Sequence, residues 1–339
     1  MLSLYFLTPN KLTVNAMPDT TFDQLLASGQ PIILDGGLAT ELEAQGYNLN
    51  SALWSAELLL NHPQAIIDAH LAYYEAGANC AISASYQATL KGFMGLGLDA
   101  EQAQDLILSS IRLAINARSA YVADHAGSTQ PLLVAASVGP YGAPLGDGSE
   151  YTGDYGVDDA ALVAFHQQRL QWLDHSGADV LACETIPSLQ EAKVLHKLLA
   201  QCQTPAWITF SCKDGQHLND GSPIADCARL FAQHPTVRAI GVNCTSPLYI
   251  NELISCIKQV IEQQESQLAI VVYPNSGEHY QASDNSWHGT STPMECGQAA
   301  ASWQHSGAAI IGGCCRMGPE HIQQIQQHLH SPSHSTSNP

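Results

Sequence analysis

Three cysteines are placed where they could share one metal ion. Cys244 ends the segment VRAIGVNC, and the adjacent pair Cys314 and Cys315 ends GAAIIGGCC. Both segments read as buried strands, with one further strand between them in the chain. Thiolate sulfur is a soft ligand, and three thiolates with an open fourth position suit a catalytic zinc. Consecutive residues of a regular strand point to opposite faces, so Cys314 and Cys315 can reach one ion only if the backbone leaves the strand. Gly312-Gly313 just before them permits that departure. Three thiolates put three negative charges around the ion and make it a weak Lewis acid towards water. Such a centre better suits a substrate thiol, which coordination deprotonates while leaving it nucleophilic. Alkyl transfer to a thiol therefore ranks above metal-assisted hydrolysis, which also lacks any His-x-His at a strand end. A redox-sensing pair at Cys314 and Cys315 is the non-catalytic alternative. Of the other cysteines, Cys80, Cys202, Cys227 and Cys256 read as small core hydrophobes, and Cys183, Cys212 and Cys296 fit either role.

The elements that must position this trio recur at a regular beat. Eight short apolar segments occupy 31–37, 78–85, 131–139, 178–186, 206–212, 237–244, 268–275 and 307–315. They are continuous rather than alternating, as expected for parallel strands buried on both faces. Helical patterns fill the gaps. Asn61-His62-Pro63 is expected to open one helix, with Asn61 as its N-cap and Gly77 closing it. Ser188 and Glu191 have the spacing of a capping box, and Pro247 and Pro319 sit where first helical turns would begin. Strand and helix alternating eight times predict a single (β/α)8 TIM-type barrel over residues 17–330. Residues 1–16 are expected to be a disordered or upstream extension, and 331–339 a disordered tail. Long loops follow strand 3 (139–156, with six glycines and three tyrosines) and strand 7 (275–293). Barrel enzymes keep their working loops at this end of the strands. Reading off the strand ends adds Asp35, Ser83, Glu184 and Asn243 to the cysteines at one shared mouth.

The charge balance narrows the partners. With 12 Lys+Arg against 31 Asp+Glu, the formal charge is −19. A polyanion would be repelled, so nucleic acid and anionic membrane surfaces are excluded as partners. No apolar run approaches the ~20 residues that span a bilayer. The opening MLSLYFL has neither a basic n-region nor a small-residue cleavage site, so a cytoplasmic location is expected.

Several segments, in order, resemble the homocysteine S-methyltransferases. They include LDGGLATELEAQG (34–46), LWSAELL (53–59), SASYQATLKGF (83–93), ASVGPYGAPLGDGSEYTGDYG (136–156), CETIPSLQEA (183–192), GVNCTSP (241–247), YPNSGE (273–278) and GGCCRMGPEHI (312–322). The YGAPLGDGSEY and YPNSGE segments look like the branch that uses S-methylmethionine or S-adenosylmethionine. The resemblance implies a (β/α)8 barrel with Zn2+ held by Cys244, Cys314 and Cys315, and with homocysteine sulfur at the fourth site. It also implies that Asp35, Gly36 and Glu184 bind the amino-acid end of the substrate, that Ser83 contributes a hydroxyl, and that Trp54 lines the site. Asn243 either orients a zinc ligand or satisfies a loop. A selenol acceptor is the alternative within the same chemistry. Two positions depart from the family pattern: Met317 stands where Thr is common, and Ser83 stands where Thr is common.

Overall fold

The computed structural model describes residues 21–49, 54–277, 279–281, 286–288 and 292–330. The expected segments 1–16 and 331–339 lie outside the described residues. Eight strands form one parallel sheet: β1 (Ile32–Ile33), β2 (Cys80–Ile82), β3 (Leu133–Val138), β4 (Val180–Ile186), β5 (Ala206–Phe210), β6 (Val237–Asn243), β7 (Ala269–Tyr273) and β8 (Ala308–Ile311). Their order is β1-β8-β7-β6-β5-β4-β3-β2, and a parallel bridge between Leu34 and Cys80 joins its two edges. The result is the (β/α)8 barrel that the alternation predicts.

The continuous apolar runs follow from burial on both faces. Leu133 and Ala135, Val180 and Ala182, Trp207, Ala239, Val271 and Ile310 form one buried cluster inside the barrel. Their strand neighbours Val134, Leu181, Ile208, Ile240, Val272 and Ile311 join a second cluster under the helices. A period of two thus divides each run between two cores. A short leading helix, α1 (Phe22–Ala27), belongs to the inner cluster. Its Phe22 ring sits 5.9 Å from the Trp207 ring, and burying each of Phe22 and Leu25 contributes about 1.5–3 kcal/mol.

The outer helices are α2 (Leu38–Ala44), α3 (Trp54–Asn61), α4 (Pro63–Glu75), α5 (Leu90–Gly95), α6 (Ala100–Asp124), α7 (Asp159–Asp174), α8 (Leu189–Leu199), α9 (Ile224–Phe231), α10 (Ile250–Gln263), α11 (Pro293–Ser306) and α12 (Pro319–His330). Two expectations about helix starts are corrected. Asn61 is the last residue of α3, and His62 is the N-cap of α4, with Pro63 in its first turn. Two helices abut where one was expected to begin, so the Asn-x-Pro signal marks a junction. Ser188 does cap α8, its hydroxyl accepting from the Glu191 amide at 3.2 Å. The Glu191 carboxylate, however, turns away to bonds with Tyr141, Tyr155 and His166, so the reciprocal half of the box is replaced by a tertiary contact. Pro247 begins a 3-10 turn (Pro247–Tyr249) that precedes α10.

Both long loops exist. The first, after β3, folds into two short 3-10 turns at Ala143–Leu145 and Ser149–Tyr151. The second, after β7, holds a small antiparallel hairpin that pairs 279–281 with 286–288.

Candidate metal and substrate site

The three cysteine sulfurs all lie within 4.8 Å of one another at the carboxyl ends of β6 and β8. Cys244 follows Asn243 directly and adopts φ +45°. Beyond Ile311 the chain leaves the sheet, so Cys314 and Cys315 sit in the loop before α12. Their neighbour Arg316 has φ +66°. This departure is what allows adjacent cysteines to face one point. The Cys315 Sγ is 3.8 Å from that of Cys244 and 4.0 Å from that of Cys314. Sulfurs bound tetrahedrally at about 2.3 Å from zinc stand roughly 3.8 Å apart, so the two distances from Cys315 fit the ion. Cys244 and Cys314 are paired as a disulfide in this structure, with Cα atoms 5.7 Å apart. Reduction of that bond completes a three-thiolate set. Burial raises the Cys315 thiol above its ordinary range, with the negative charges of Glu184 and Glu150 adding to the effect. Three thiolates therefore need a cation among them, which is the condition a divalent ion meets.

The cluster faces a cavity of about 370 Å³ in the mouth of the barrel. Gly36, Leu38, Ser83, Tyr86, Glu184 and Tyr273 line it together with the cysteines. Glu184 continues the inward-facing series Val180, Ala182 on β4. Opposite β5, the register slips by one residue between Cys183 and Ile186. Thr185, in that slip, adopts φ +62°, a conformation that costs a β-branched residue about 1–3 kcal/mol. Asn243 compensates: its Oδ1 accepts from the Thr185 amide, and its Nδ2 donates to the Thr185 hydroxyl, both at 2.7 Å. Asn243 is fully buried, and its amide holds the bulge that aims Glu184. The Glu184 carboxylate accepts from the Ser137 hydroxyl and is hydrogen-bonded to Tyr273. Tyr273 is itself held by Trp207 Nε1 at 3.1 Å and Thr209 Oγ1 at 2.8 Å. Burial dominates and pushes the Glu184 carboxyl up to about 7.

The other sequence-predicted residues occupy distinct places. Asp35 is 2% exposed, and its Oδ2 accepts from the Ile82 amide at 2.7 Å. Its Oδ1 is buried without a partner among the described residues. Burial, and to a lesser degree Glu184, raise its carboxyl well above the ordinary range. Asp35 does not cap α2, whose N-cap is Gly37. Gly36 is required by space, because a Cβ there would stand 2.1 Å from the Met317 carbonyl oxygen. That carbonyl accepts from the Gly37 amide and the Tyr73 hydroxyl at 2.9 and 3.1 Å. Position 317 thus works through its backbone, and the Met317 side chain is fully buried. The Ser83 hydroxyl accepts from the Ser137 amide at 3.1 Å and bonds Ser85 at 2.9 Å. Trp54 opens α3, and its side chain lies outside the described part of the structure. Arg169 donates to the Gly139 carbonyl and lies over the Phe165 ring. A larger cavity of about 660 Å³ on the flank between α5 and α7 is lined by no cysteine or carboxylate.

A sequence model of the family described as homocysteine S-methyltransferase matches residues 32–329. The chain belongs to the homocysteine S-methyltransferase family. It is 46% identical to Homocysteine S-methyltransferase YbgG of Bacillus subtilis over 297 residues, covering 87% of this chain and 93% of that protein. It is also 46% identical to Homocysteine S-methyltransferase of Escherichia coli over 308 residues, covering 89% and 96%. Among solved structures, the metallated form of the homocysteine methyltransferase MmuM from Escherichia coli superposes with a TM-score of 0.79 at 43% identity, covering 89% of this chain and 97% of that one.

Sequence reasoning missed Glu150, Tyr151 and Tyr273, all of which line the cavity, whereas Tyr86 belongs to the strand end Ser83–Tyr86 that the sequence places at the mouth. Tyr273 was within reach, since it begins YPNSGE at a strand end. The role of Glu191 could not be read from its place in an apparent capping box.

Proposed function

We propose that this protein transfers a methyl group from a methylsulfonium donor to the thiol of L-homocysteine, forming methionine, with zinc held by Cys244, Cys314 and Cys315. The observation that carries this reading is the convergence of three sulfurs on a mouth cavity that also contains a buried carboxylate. Bound there, zinc would lower the pKa of the substrate thiol so that it reacts as a thiolate near neutral pH. The protein's own groups do the positioning. The Glu184 carboxylate and the unpartnered Oδ1 of Asp35 bind the α-ammonium of homocysteine, which supplies the partner that Asp35 Oδ1 lacks and a counter-charge for both buried acids. The uncapped first turn of α2, beside Gly36, offers amides to the substrate carboxylate. Ser83 and Trp54 complete the wall, and Asn243 fixes Thr185 so that Glu184 stays aimed inward.

A donor placed with its methyl carbon in line with the sulfur reacts by direct displacement. Thiolate and sulfonium both lose their charge as the methyl group moves, so no charge develops for the protein to stabilise. Most of the acceleration then comes from alignment. No proton moves in the transfer step, which agrees with the absence of histidine from the cavity lining among the described residues. The cavity volume lies near the low end for ligand sites, and the donor is S-methylmethionine or S-adenosylmethionine.

Cysteine usage supports a reducing, cytoplasmic setting. No helix among the described residues is long and apolar enough to cross a membrane. Replacing Cys315 by alanine is expected to abolish metal binding and methionine formation together, measured by metal analysis and product assay on one sample. A Cys315→Ala enzyme that retains full activity would overturn the reading. Transfer to a selenol in clear preference to homocysteine would reassign the acceptor.

A further inference from the structure

The two halves of the reaction bring two amino-acid ends into one cavity, and the residues above account for one of them. A second buried carboxylate faces the same space. Glu150 lies in the 3-10 turn of the β3–α7 loop, is 9% exposed and lines the cavity with the cysteines. Its Oε2 is buried and has no hydrogen-bond partner among the described residues. Burial raises its carboxyl above the ordinary range. Its negative charge is felt at Cys315, and the adjacent Tyr151 also interacts electrostatically with that thiol. The third acid of the lining, Glu43, is exposed on α2 and therefore screened by water.

Glu150 is held in place by the fold. A Cβ on Gly142 would come within 2.5 Å of the Glu150 amide nitrogen, so the loop doubles back on itself at a glycine. The fully buried Glu191 ties the same loop to the helical layer. It accepts from the Tyr141 amide at 2.6 Å and the Tyr155 hydroxyl at 3.1 Å, and it bonds His166 Nε2 at 2.7 Å. A buried carboxylate that shares the cavity lining with the three cysteines invites a cation.

The donor carries two positive charges, and their fates differ. The sulfonium charge disappears as the methyl group leaves, so a carboxylate against it would stabilise the ground state more than the transition state and slow the reaction. The α-ammonium charge persists unchanged, and binding it helps both states equally. We propose that Glu150 is the binding residue for the α-ammonium group of an amino-acid methylsulfonium donor, distinct from the Asp35–Glu184 site for homocysteine. The inference rests on the proposed methyl transfer and adds to it the residue that selects amino-acid donors.

The test is steady-state kinetics of the full-length, reduced, zinc-loaded enzyme with S-methyl-L-methionine and L-homocysteine, comparing wild type, Glu150→Gln and Glu150→Asp. Loss of one charge-assisted hydrogen bond is expected to raise the donor KM about 10- to 100-fold in Glu150→Gln. The kcat and the homocysteine KM should stay within about twofold, and Glu150→Asp should recover part of the loss. Zinc content and homocysteine KM also report whether each variant is folded. A Glu150→Gln enzyme with unchanged donor KM overturns the assignment, and so does a variant whose homocysteine KM rises in step. A rise in kcat alongside donor KM would place the carboxylate on the sulfonium and equally overturn it. If wild type makes no methionine from any sulfonium donor, the proposed function fails and the assignment falls with it. That outcome is distinct from a wild type that turns over and a variant that matches it.

Discussion

Glu184→Gln separates the energetic role of the buried carboxylate from its binding role. The wild-type carboxyl titrates near 7 because burial disfavours its charged form. An unfolded glutamate loses its proton near 4.3. Between these values the folded state binds the extra proton, so stability falls as pH rises from about 4.5 to 7. The full penalty is on the order of 3 kcal/mol above pH 7, net of the hydrogen bonds from Ser137 and Tyr273, which oppose the effect of burial. Glutamine keeps the shape and removes the charge. Urea unfolding at pH 8 should therefore show Glu184→Gln to be the more stable protein, with the difference vanishing towards pH 4.5. Function should move the other way. Only ionised Glu184 binds the homocysteine ammonium, and its ionised fraction falls about tenfold from pH 8 to pH 6. The homocysteine KM of wild type should climb accordingly, on top of the dependence that the substrate thiol imposes on both enzymes. At pH 8 the variant KM should exceed wild type by about 10- to 100-fold, and by pH 6 the gap should shrink by roughly a factor of ten. Equal pH slopes for the two enzymes, with no gain in stability, would refute the placement of this charge.

Three further outcomes follow from the buried polar groups. Glu191→Ala leaves the Tyr141 amide, the Tyr155 hydroxyl and His166 unpaired, at about 1–3 kcal/mol each; its urea midpoint should fall well below that of wild type, while Glu191→Gln falls less. Asn243→Ala frees the left-handed Thr185 and should lower both stability and homocysteine affinity, whereas a variant with unchanged homocysteine KM would show that Glu184 needs no such clamp. His70 is fully buried, neither ring nitrogen has a partner among the described residues, and burial lowers its pKa to about 4. Its neutral form is required for folding, so stability should drop by up to about 3 kcal/mol as pH falls from 6.5 to 4; in His70→Phe, urea titrations should show a flatter acid limb.

The barrel was legible because its strands are buried on both faces, which gives eight continuous apolar runs with helices between them. The cysteine trio was legible because its chemistry is specific and because Gly312-Gly313 announced the break that adjacent ligands need. Residues whose roles depend on how loops fold were not. Glu191 has the spacing of a capping box, yet its carboxylate serves the β3–α7 loop, a contact between segments about 50 residues apart. Asp35 turns onto the Ile82 amide, a contact between segments 47 residues apart, and leaves the N-cap of α2 to Gly37. Glu150 stands in a glycine-rich stretch whose path is set by packing at Gly142, which no local pattern reveals. Asn243, on β6, acts through a bulge on β4, two strands away, and a one-residue slip of register leaves no mark in the sequence.

The most direct test of the account is metal content and methionine formation measured on a single purified sample, kept reduced so that Cys244 and Cys314 are thiols. About one zinc per chain, with methionine formed from homocysteine and S-methylmethionine, is the expected result. Protein never exposed to chelator that contains no metal and forms no methionine would contradict it, and the three cysteines would then be packing residues at the mouth of the barrel.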